Sequence, residues 1–353
     1  MSRVRLRNVS RVFGGTVAVH PTTLEVPEGQ FLTLLGPSGC GKTTTLRMIA
    51  GFVEPSCGQI LIDDEDVTRL PPQKRGIGMV FQDYALFPHM TIAENIAFGL
   101  RERRAPRARI RARVAELLEL IRLPQIADRY PAQISGGQAQ RVALARAIAH
   151  PPRVLLMDEP LGALDLKLRE TMQFELRRIQ RALGITTVFV THDQTEAMNL
   201  SDSIAVMGEG RVLQSGTPQE IYDHPATRFV ADFIGQINFL EGALAAGGDG
   251  WQRLTAQAGH FRVPPGGPAA GRATLAVRPQ HVIVQNGLAL PEEYDRLDGV
   301  VVAQVFNGNL AHLRVDLGAT QWTVESRPGA HSVAPGERVT LGWHPSDARV
   351  LLQ

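Results

Sequence analysis

The 353-residue chain is 44% hydrophobic and 20% charged with a formal net charge of +2, a balance that argues against intrinsic disorder and against a strongly basic nucleic-acid binder. At about 150 residues per domain, its length corresponds to about two domains. Cys40 and Cys57 are too few for a disulfide framework, MSRVRLRNVS has no apolar core for a secretory signal, and no apolar run approaches the ~18 residues of a membrane span, so a water-soluble globular chain in a reducing compartment is expected.

From the N-terminus, RVRLRNV, TTLEV and PEGQFLTLLG alternate with turns, one of them at Glu28-Gly29, and predict an antiparallel β region feeding a buried strand. That strand runs into GPSGCGKT, Gly36 to Thr43, which matches G-x-x-x-x-G-K-[ST] and is followed by the helical TTTLRMIAG. Strand, glycine-rich turn and helix start form the context in which this motif binds a polyphosphate. Gly36, Gly39 and Gly41 let the backbone N–H groups wrap the phosphates, with Pro37, Ser38, Cys40 and Thr44 completing the phosphate-binding loop. Lys42 is expected to reach the terminal phosphates and Thr43 to ligate Mg²⁺, while Cys40 reads as a small residue filling the turn.

The later runs IGMVF, VLLMD, TTVFV and SIAVM lack alternation, like FLTLLG, and are separated by helical stretches. Strands buried on both faces of a mainly parallel sheet read this way. MVFQD ends in Gln82, a neutral donor and acceptor suited to a metal or its water, although spacing alone does not single it out. A helical block is expected over about 83–152, with capping boxes at Thr91/Glu94 and Ser135/Gln138 and a stop at Pro151-Pro152. Within it Arg101 to Arg113, RERRAPRARIRAR, reads as a solvated helix face, the alternative being a surface for anionic lipid or a partner. Ser135, Gly136, Gly137 and Gln138 open a helix with two glycines and no lysine, so its N–H groups and dipole suit an incoming anion, at about 1 kcal/mol by themselves.

VLLMDEP is a buried strand ending in two carboxylates: Asp158 is expected to hold Mg²⁺ through water and Glu159 to act as general base on the attacking water. TTVFVTHD places His192 at the C-terminal end of a strand, where ligands of parallel sheets gather, and Asp193 with Glu196 makes an ordinary helix cap. TPQE at 217–220 starts a helix that breaks at DHPA, resumes through TRFVADFI and ends at Gly235. Beyond about residue 236, GGDG, PPGGPAAG and RPGAHSVAPGER punctuate short apolar runs, the signature of a small all-β domain with long turns. The boundary is placed near Gly235, giving domains 1–235 and 236–353, with no solenoid repeat.

In this order, the glycine-rich loop, Gln82, ISGGQ, LLMDEP, LGALD and His192 resemble the nucleotide-binding subunit of an ABC transporter over about residues 1–235. The resemblance implies an α/β P-loop NTPase with antiparallel β and helical subdomains. It also implies a head-to-tail dimer in which Ser135 to Gln138 of one copy close over the γ-phosphate held by the other. It assigns Glu159 as catalytic base, His192 as switch histidine, Gln82 as the metal-linked coupling residue, Asp165 as a dimer contact and Phe13 as the adenine stack. Three positions depart from the usual pattern: Phe13 replaces Tyr or Trp, Ile134 replaces leucine, and Gly162 replaces a serine or asparagine that would supply a cross-dimer hydrogen bond.

KRGIGMVFQDYALFPHMTIAENIAFGL, FIGQIN and GWHPSDARVL further resemble the long ATPase subunits of bacterial nutrient importers, which add a C-terminal OB-like TOBE domain. The wording is closest to the spermidine/putrescine type, with ferric-iron and aminophosphonate importers near neighbours. This implies ATP and Mg²⁺, two transmembrane permease subunits, an external solute-binding protein reached through them, no nucleic acid, and a peripheral place on the cytoplasmic face of the bacterial plasma membrane. The segment Tyr84 to Ile92, with an exposed Phe87, is expected to receive the permease's coupling helix. Soluble ABC proteins of DNA repair or translation insert a long coiled coil or fuse two engines, and neither feature is present here. The β domain, without a basic–aromatic stripe, reads as scaffold or regulator.

Overall fold

Strands that are apolar along their whole length need cover on both faces, and the computed structural model places them accordingly. It describes residues 2–352 apart from 248–249, 266–269, 286–289 and 328–332. Residues 248–249 of the expected turn GGDG, 266–269 of PPGGPAAG and 328–332 of RPGAHSVAPGER lie outside the described residues. The chain forms two compact units, Met1–Pro218 and Gln219–Gln353.

The first unit runs β1 (Val4–Phe13), β2 (Thr16–Val26), β3 (Phe31–Leu35), α1 (Lys42–Ala50), β4 (Cys57–Ile62), β5 (Glu65–Asp66) and β6 (Ile77–Val80). It continues through α2 (Ile92–Glu102), α3 (Arg107–Leu120), α4 (Gly136–Ala147), β7 (Val154–Asp158), α5 (Leu166–Leu183), β8 (Thr186–Thr191), α6 (Gln194–Leu200), β9 (Ser203–Gly208) and β10 (Arg211–Gly216). A six-stranded sheet has the order β10-β9-β3-β8-β7-β6, parallel except for β10. Every residue of β3, β7 and β8 is buried, which is why none of the three shows a period of two. The N-terminal runs form a separate antiparallel sheet, β2-β1-β4-β5.

Between β6 and β7, α2 is opened by the Thr91/Glu94 capping box and α4 by the Ser135/Gln138 box. Ile92, Ile96 and Leu100, one turn apart on α2, bury against Leu117, Leu118 and Val142 in one apolar core. Each such side chain contributes about 1.5–3 kcal/mol. The same core extends under β7 and β8 through Leu155, Met157 and Phe189, so the helices are anchored directly beneath the strands whose ends carry the chemistry.

In the second unit, one antiparallel sheet orders Gly259–Val263, Gln252–Ala256, Asn238–Ala246, Gly271–Val277 and Arg349–Leu352. The other orders Ile283–Gln285, Arg338–Trp343, Asp295–Phe306, Ala311–Asp316 and Gln321–Ser326. Their shared core is built around Phe261, Trp322 and Trp343, and Trp322 Nε1 donates to the Phe239 carbonyl at 3.0 Å. The division between the units falls before Gly235. Buried Arg278 donates to the carbonyl oxygens of Tyr222 (3.0 Å), Ala231 (3.2 Å), Gly235 (3.2 Å) and Gln236 (3.1 Å), which packs helices Pro218–Asp223 and Arg228–Phe233 with the β strands. Burial lowers the Arg278 pKa, and the four carbonyls take the place of water around its charge.

Candidate nucleotide site

The glycine-rich loop leaves β3 in a space that tolerates no side chain. A β-carbon on Gly36 would lie 2.3 Å from the Met207 carbonyl oxygen, and one on Gly41 would lie 2.7 Å from that of Ala18. Gly41 also has φ +98, and its carbonyl accepts from Thr45 N at 2.9 Å as α1 begins. Pro37, Ser38 and Gly39 line the outer part of the loop, with Ser38 and Gly39 exposed, while Cys40 is buried beneath it and Thr44 is partly buried on α1. Burial raises the Cys40 thiol pKa, so it serves as packing rather than as a thiolate. Lys42 is only 4% exposed and donates from Nζ to the carbonyls of Gly36 (2.7 Å) and Pro37 (2.9 Å), holding an ammonium inside the loop.

Two residues far apart in sequence meet next to that lysine: Thr43 Oγ1 donates to Asp158 Oδ1 at 3.1 Å. Burial raises the Asp158 pKa, opposed by the Thr43 hydrogen bond and by the charge of Arg47. A hydroxyl and a carboxylate are hard oxygen donors of the kind Mg²⁺ takes together with phosphate oxygens. No group of three or more His, Cys, Asp or Glu side chains that could enclose a metal occurs among the described residues, so these two do not belong to an all-protein cage.

One residue beyond β7, Glu159 has φ 44, a left-handed conformation costing about 1–2 kcal/mol in a residue with a side chain. It is held there by Glu159 N donating to the Val190 carbonyl at 3.0 Å and by its own carbonyl accepting from Gly162 N at 3.2 Å. That geometry brings Glu159 Oε2 to 3.1 Å from His192 Nδ1 across the ends of adjacent strands β7 and β8. A β-carbon at Gly162 would lie 4.0 Å from Glu159 Oε2 with no clash, so this departure from the usual serine is open to reversal.

The other sequence-derived residues lie around this centre. Gln82 is exposed, two positions past the end of β6, the parallel neighbour of β7. Phe13 is 44% exposed at the end of β1, with the Arg11 guanidinium 4.3 Å from its ring centre. Ser135 and Gln138 bond each other in the capping box, Gln138 N to Ser135 Oγ at 3.4 Å and Ser135 N to Gln138 Oε1 at 3.0 Å. Gly136 and Gly137 back onto Leu164 and Leu168, where β-carbons would come within 3.3 and 2.9 Å. Asp165 caps α5, accepting from Leu168 N at 3.0 Å.

The segment after Gln82 differs from expectation. Phe87 is half-buried rather than exposed: its ring lies 4.5 Å from that of Phe98, while Tyr84 and Leu86 pack on the helical core. Buried Asn95 shapes the turn by accepting from Phe87 N (2.8 Å) and donating to the carbonyls of Phe87 (3.1 Å) and Met90 (3.1 Å). Arg146 of α4 donates to the carbonyls of Tyr84 (2.7 Å) and Ala85 (2.6 Å). Arg75, 2% exposed, likewise grips the last carbonyls of α1, Met48 and Ile49, each at 2.8 Å. Sequence reading missed these supports because the carbonyls that Arg146 and Arg75 meet lie far from them in sequence.

The fold and this geometry define a P-loop ATPase of the ABC class, joined to an antiparallel all-β unit. The ABC transporter family model matches residues 19–162 and the TOBE domain model matches residues 275–351. The chain belongs to the ABC transporter ATP-binding family and binds ATP. It is 50% identical to the spermidine/putrescine import ATP-binding protein PotA of Mesorhizobium japonicum over 321 residues, 89% of this chain and 86% of the relative. It is 48% identical to the PotA of Acidothermus cellulolyticus, covering 99% of this chain and 94% of that one. To PotA 1 of Pseudomonas aeruginosa the identity is also 48%, with 99% and 97% covered. Among solved structures it is similar to cbiO1 of Clostridium perfringens, part of the ABC transporter complex cbiONQ, with a TM-score of 0.59 and 30% identity over 62% of this chain and 89% of that one.

Proposed function

We propose that this chain is the ATP-hydrolysing, energy-coupling subunit of an importer for spermidine and putrescine. The observation that carries the reading is the meeting of Thr43, at the start of α1, with Asp158 and of Glu159 with His192 across the ends of neighbouring strands, in a chain similar along its length to polyamine import ATP-binding proteins.

The loop from Gly36 to Thr44 presents backbone N–H groups to the ATP phosphates, Lys42 exchanges its carbonyl partners for phosphate oxygens, and Phe13 stacks on adenine. Thr43 and Asp158, with Gln82, would hold Mg²⁺, which would neutralise phosphate charge. Glu159 takes the proton of the attacking water, and His192 holds the Glu159 carboxylate in place through Nδ1 at the γ-phosphate end of the site. Ser135, Gly136, Gly137 and Gln138 complete the site of a second copy packed head to tail, with Asp165 at the contact. ATP binding thereby closes the dimer and hydrolysis loosens it.

Two permeases complete the complex. A groove of about 420 Å³ lined by Phe81, Ala85, Phe87, Phe98 and Arg103 lies beside the segment that follows Gln82 and suits an apolar coupling helix. No helix among the described residues is long and apolar enough to cross a membrane. A peripheral place on the cytoplasmic face, with the solute-binding protein reached only through the permeases, fits that. The test is co-purification from membranes with tagged Glu159→Gln chain in Mg-ATP. This variant is expected to retain ATP, lose about 10²–10⁴ of turnover, and bring down two multi-span permeases or one in two copies. Recovery of soluble factors alone would overturn the assignment.

A further inference from the structure

Behind the His192–Glu159 hydrogen bond, the loops that carry these two residues are joined by a second set of contacts that no nucleotide motif requires. Arg169, in the first turns of α5, donates from Nη2 to the Leu164 carbonyl at 3.1 Å and from Nη1 to Asp193 Oδ2 at 3.0 Å. Its Nε faces Glu196 Oε1 at 3.7 Å. Glu196 is 2% exposed and accepts from Thr191 Oγ1 at 2.6 Å. Thr191 Oγ1 in turn accepts from Asp193 N at 3.0 Å, and Asp193 Oδ1 accepts from Glu196 N at 3.0 Å. Thr191 and Asp193 flank His192, so the backbone on both sides of the histidine is fixed while its imidazole, 57% exposed, points outward to Glu159.

A helix cap alone accounts for Asp193 Oδ1 and the Glu196 amide, but not for the guanidinium or for a buried carboxylate. Cap and strand end are local, whereas Arg169 reaches back to Leu164, one residue before Asp165. One planar fork thus holds the turn that follows Glu159 and the loop that carries His192.

We propose that Arg169 is a positioning residue for ATP hydrolysis: by gripping the Leu164 carbonyl and Asp193 together, it sets the spacing of the Glu159 and His192 loops. The inference rests on the reading that Glu159 and His192 carry hydrolysis. Lysine cannot span both acceptors with the same fork, so Arg169→Lys retains the charge and only part of the constraint.

The experiment is steady-state ATP hydrolysis by full-length chain carrying Arg169→Gln, Arg169→Lys, Asp193→Asn, and Arg169→Gln with Asp193→Asn, alongside the stoichiometry of nucleotide binding. Arg169→Gln is expected to lower kcat about tenfold with KM for ATP within about twofold, and Arg169→Lys to fall between it and wild type. Asp193→Asn keeps the Oδ1 cap and should give a similar loss. The double variant should be no more than about twofold below the worse single, because both changes break one link. Unchanged kcat in Arg169→Gln, multiplying losses in the double variant, or a KM that moves as much as kcat would overturn the proposal. Should Arg169→Gln lose nucleotide-binding stoichiometry, the same cycle with Arg169→Lys decides the question. Normal turnover in Glu159→Gln would remove the underlying reading, whereas a dead Glu159→Gln beside a normal Arg169→Gln would overturn this inference alone.

Discussion

Gly41→Ala should damage the nucleotide loop through the strand it rests on. The added β-carbon would lie 2.7 Å from the Ala18 carbonyl oxygen and 3.2 Å from Val19 Cγ2, at a residue with φ +98. A backbone oxygen cannot rotate out of the way, so β2 or the start of α1 must move. The left-handed conformation costs about 1–2 kcal/mol and the overpacking about 1–3 kcal/mol, together about 2–5 kcal/mol. Gly39 is the control: it has φ +80, but a β-carbon there meets nothing within 4 Å, so Gly39→Ala carries only the conformational cost of about 1–2 kcal/mol. Urea unfolding followed by far-UV circular dichroism reads the helices of the first unit. Trp251, Trp322 and Trp343, the chain's tryptophans, all belong to the second unit, so their fluorescence serves as an internal reference. The transition should weaken by about 1–3 kcal/mol more for Gly41→Ala than for Gly39→Ala, with the tryptophan signal unmoved. Equal losses for the two variants would refute the view that close packing on β2 dictates glycine at position 41.

Three further outcomes follow from the site. Burial raises the Asp158 pKa, so the associated stability is fully present below the unfolded value of about 4 and is lost as pH rises through the folded value. Asp158→Asn should therefore raise the melting temperature of nucleotide-free chain at about pH 8, with the difference shrinking as pH falls toward about 4, while Mg-dependent ATPase activity is lost. An unchanged melting temperature at both pH values would contradict this. Ser135→Ala removes the acceptor for Gln138 N and should cost about 1 kcal/mol of stability, along with ATP-dependent dimerisation measured by size-exclusion light scattering. Dimerisation at wild-type nucleotide concentrations would argue against the cross-dimer role. Phe87→Asp, which loses the Phe98 contact, should leave basal ATP hydrolysis in place and abolish coupled uptake, and intact coupling would rule out the groove as the docking site.

Much of the first unit was legible because its signals are local. FLTLL, VLLMD and TTVFV are buried on both faces, so their lack of alternation was itself the evidence for a parallel sheet. The capping boxes at Thr91 and Ser135 placed two helix starts correctly, since a cap is written within four residues. What escaped were arrangements made by residues remote in sequence. Nothing near Arg169 announces Asp193, and nothing near Arg75 announces the end of α1, because each bond depends on chain crossings that spacing does not encode. Phe87 looked like an exposed aromatic because its partners, Phe98 and Asn95, lie on the next helix and face back toward it. Arg278 had the same effect on the second unit, drawing in two helices that composition alone grouped with the first.

The most direct measurement is uptake of labelled spermidine and putrescine by cells lacking this chain, complemented with wild type or with Glu159→Gln. Uptake restored by wild type and abolished by Glu159→Gln, at equal membrane-associated amounts, is the result expected of the ATPase subunit of a polyamine importer. Unaltered polyamine uptake in cells without the chain, or full restoration by Glu159→Gln, would contradict it.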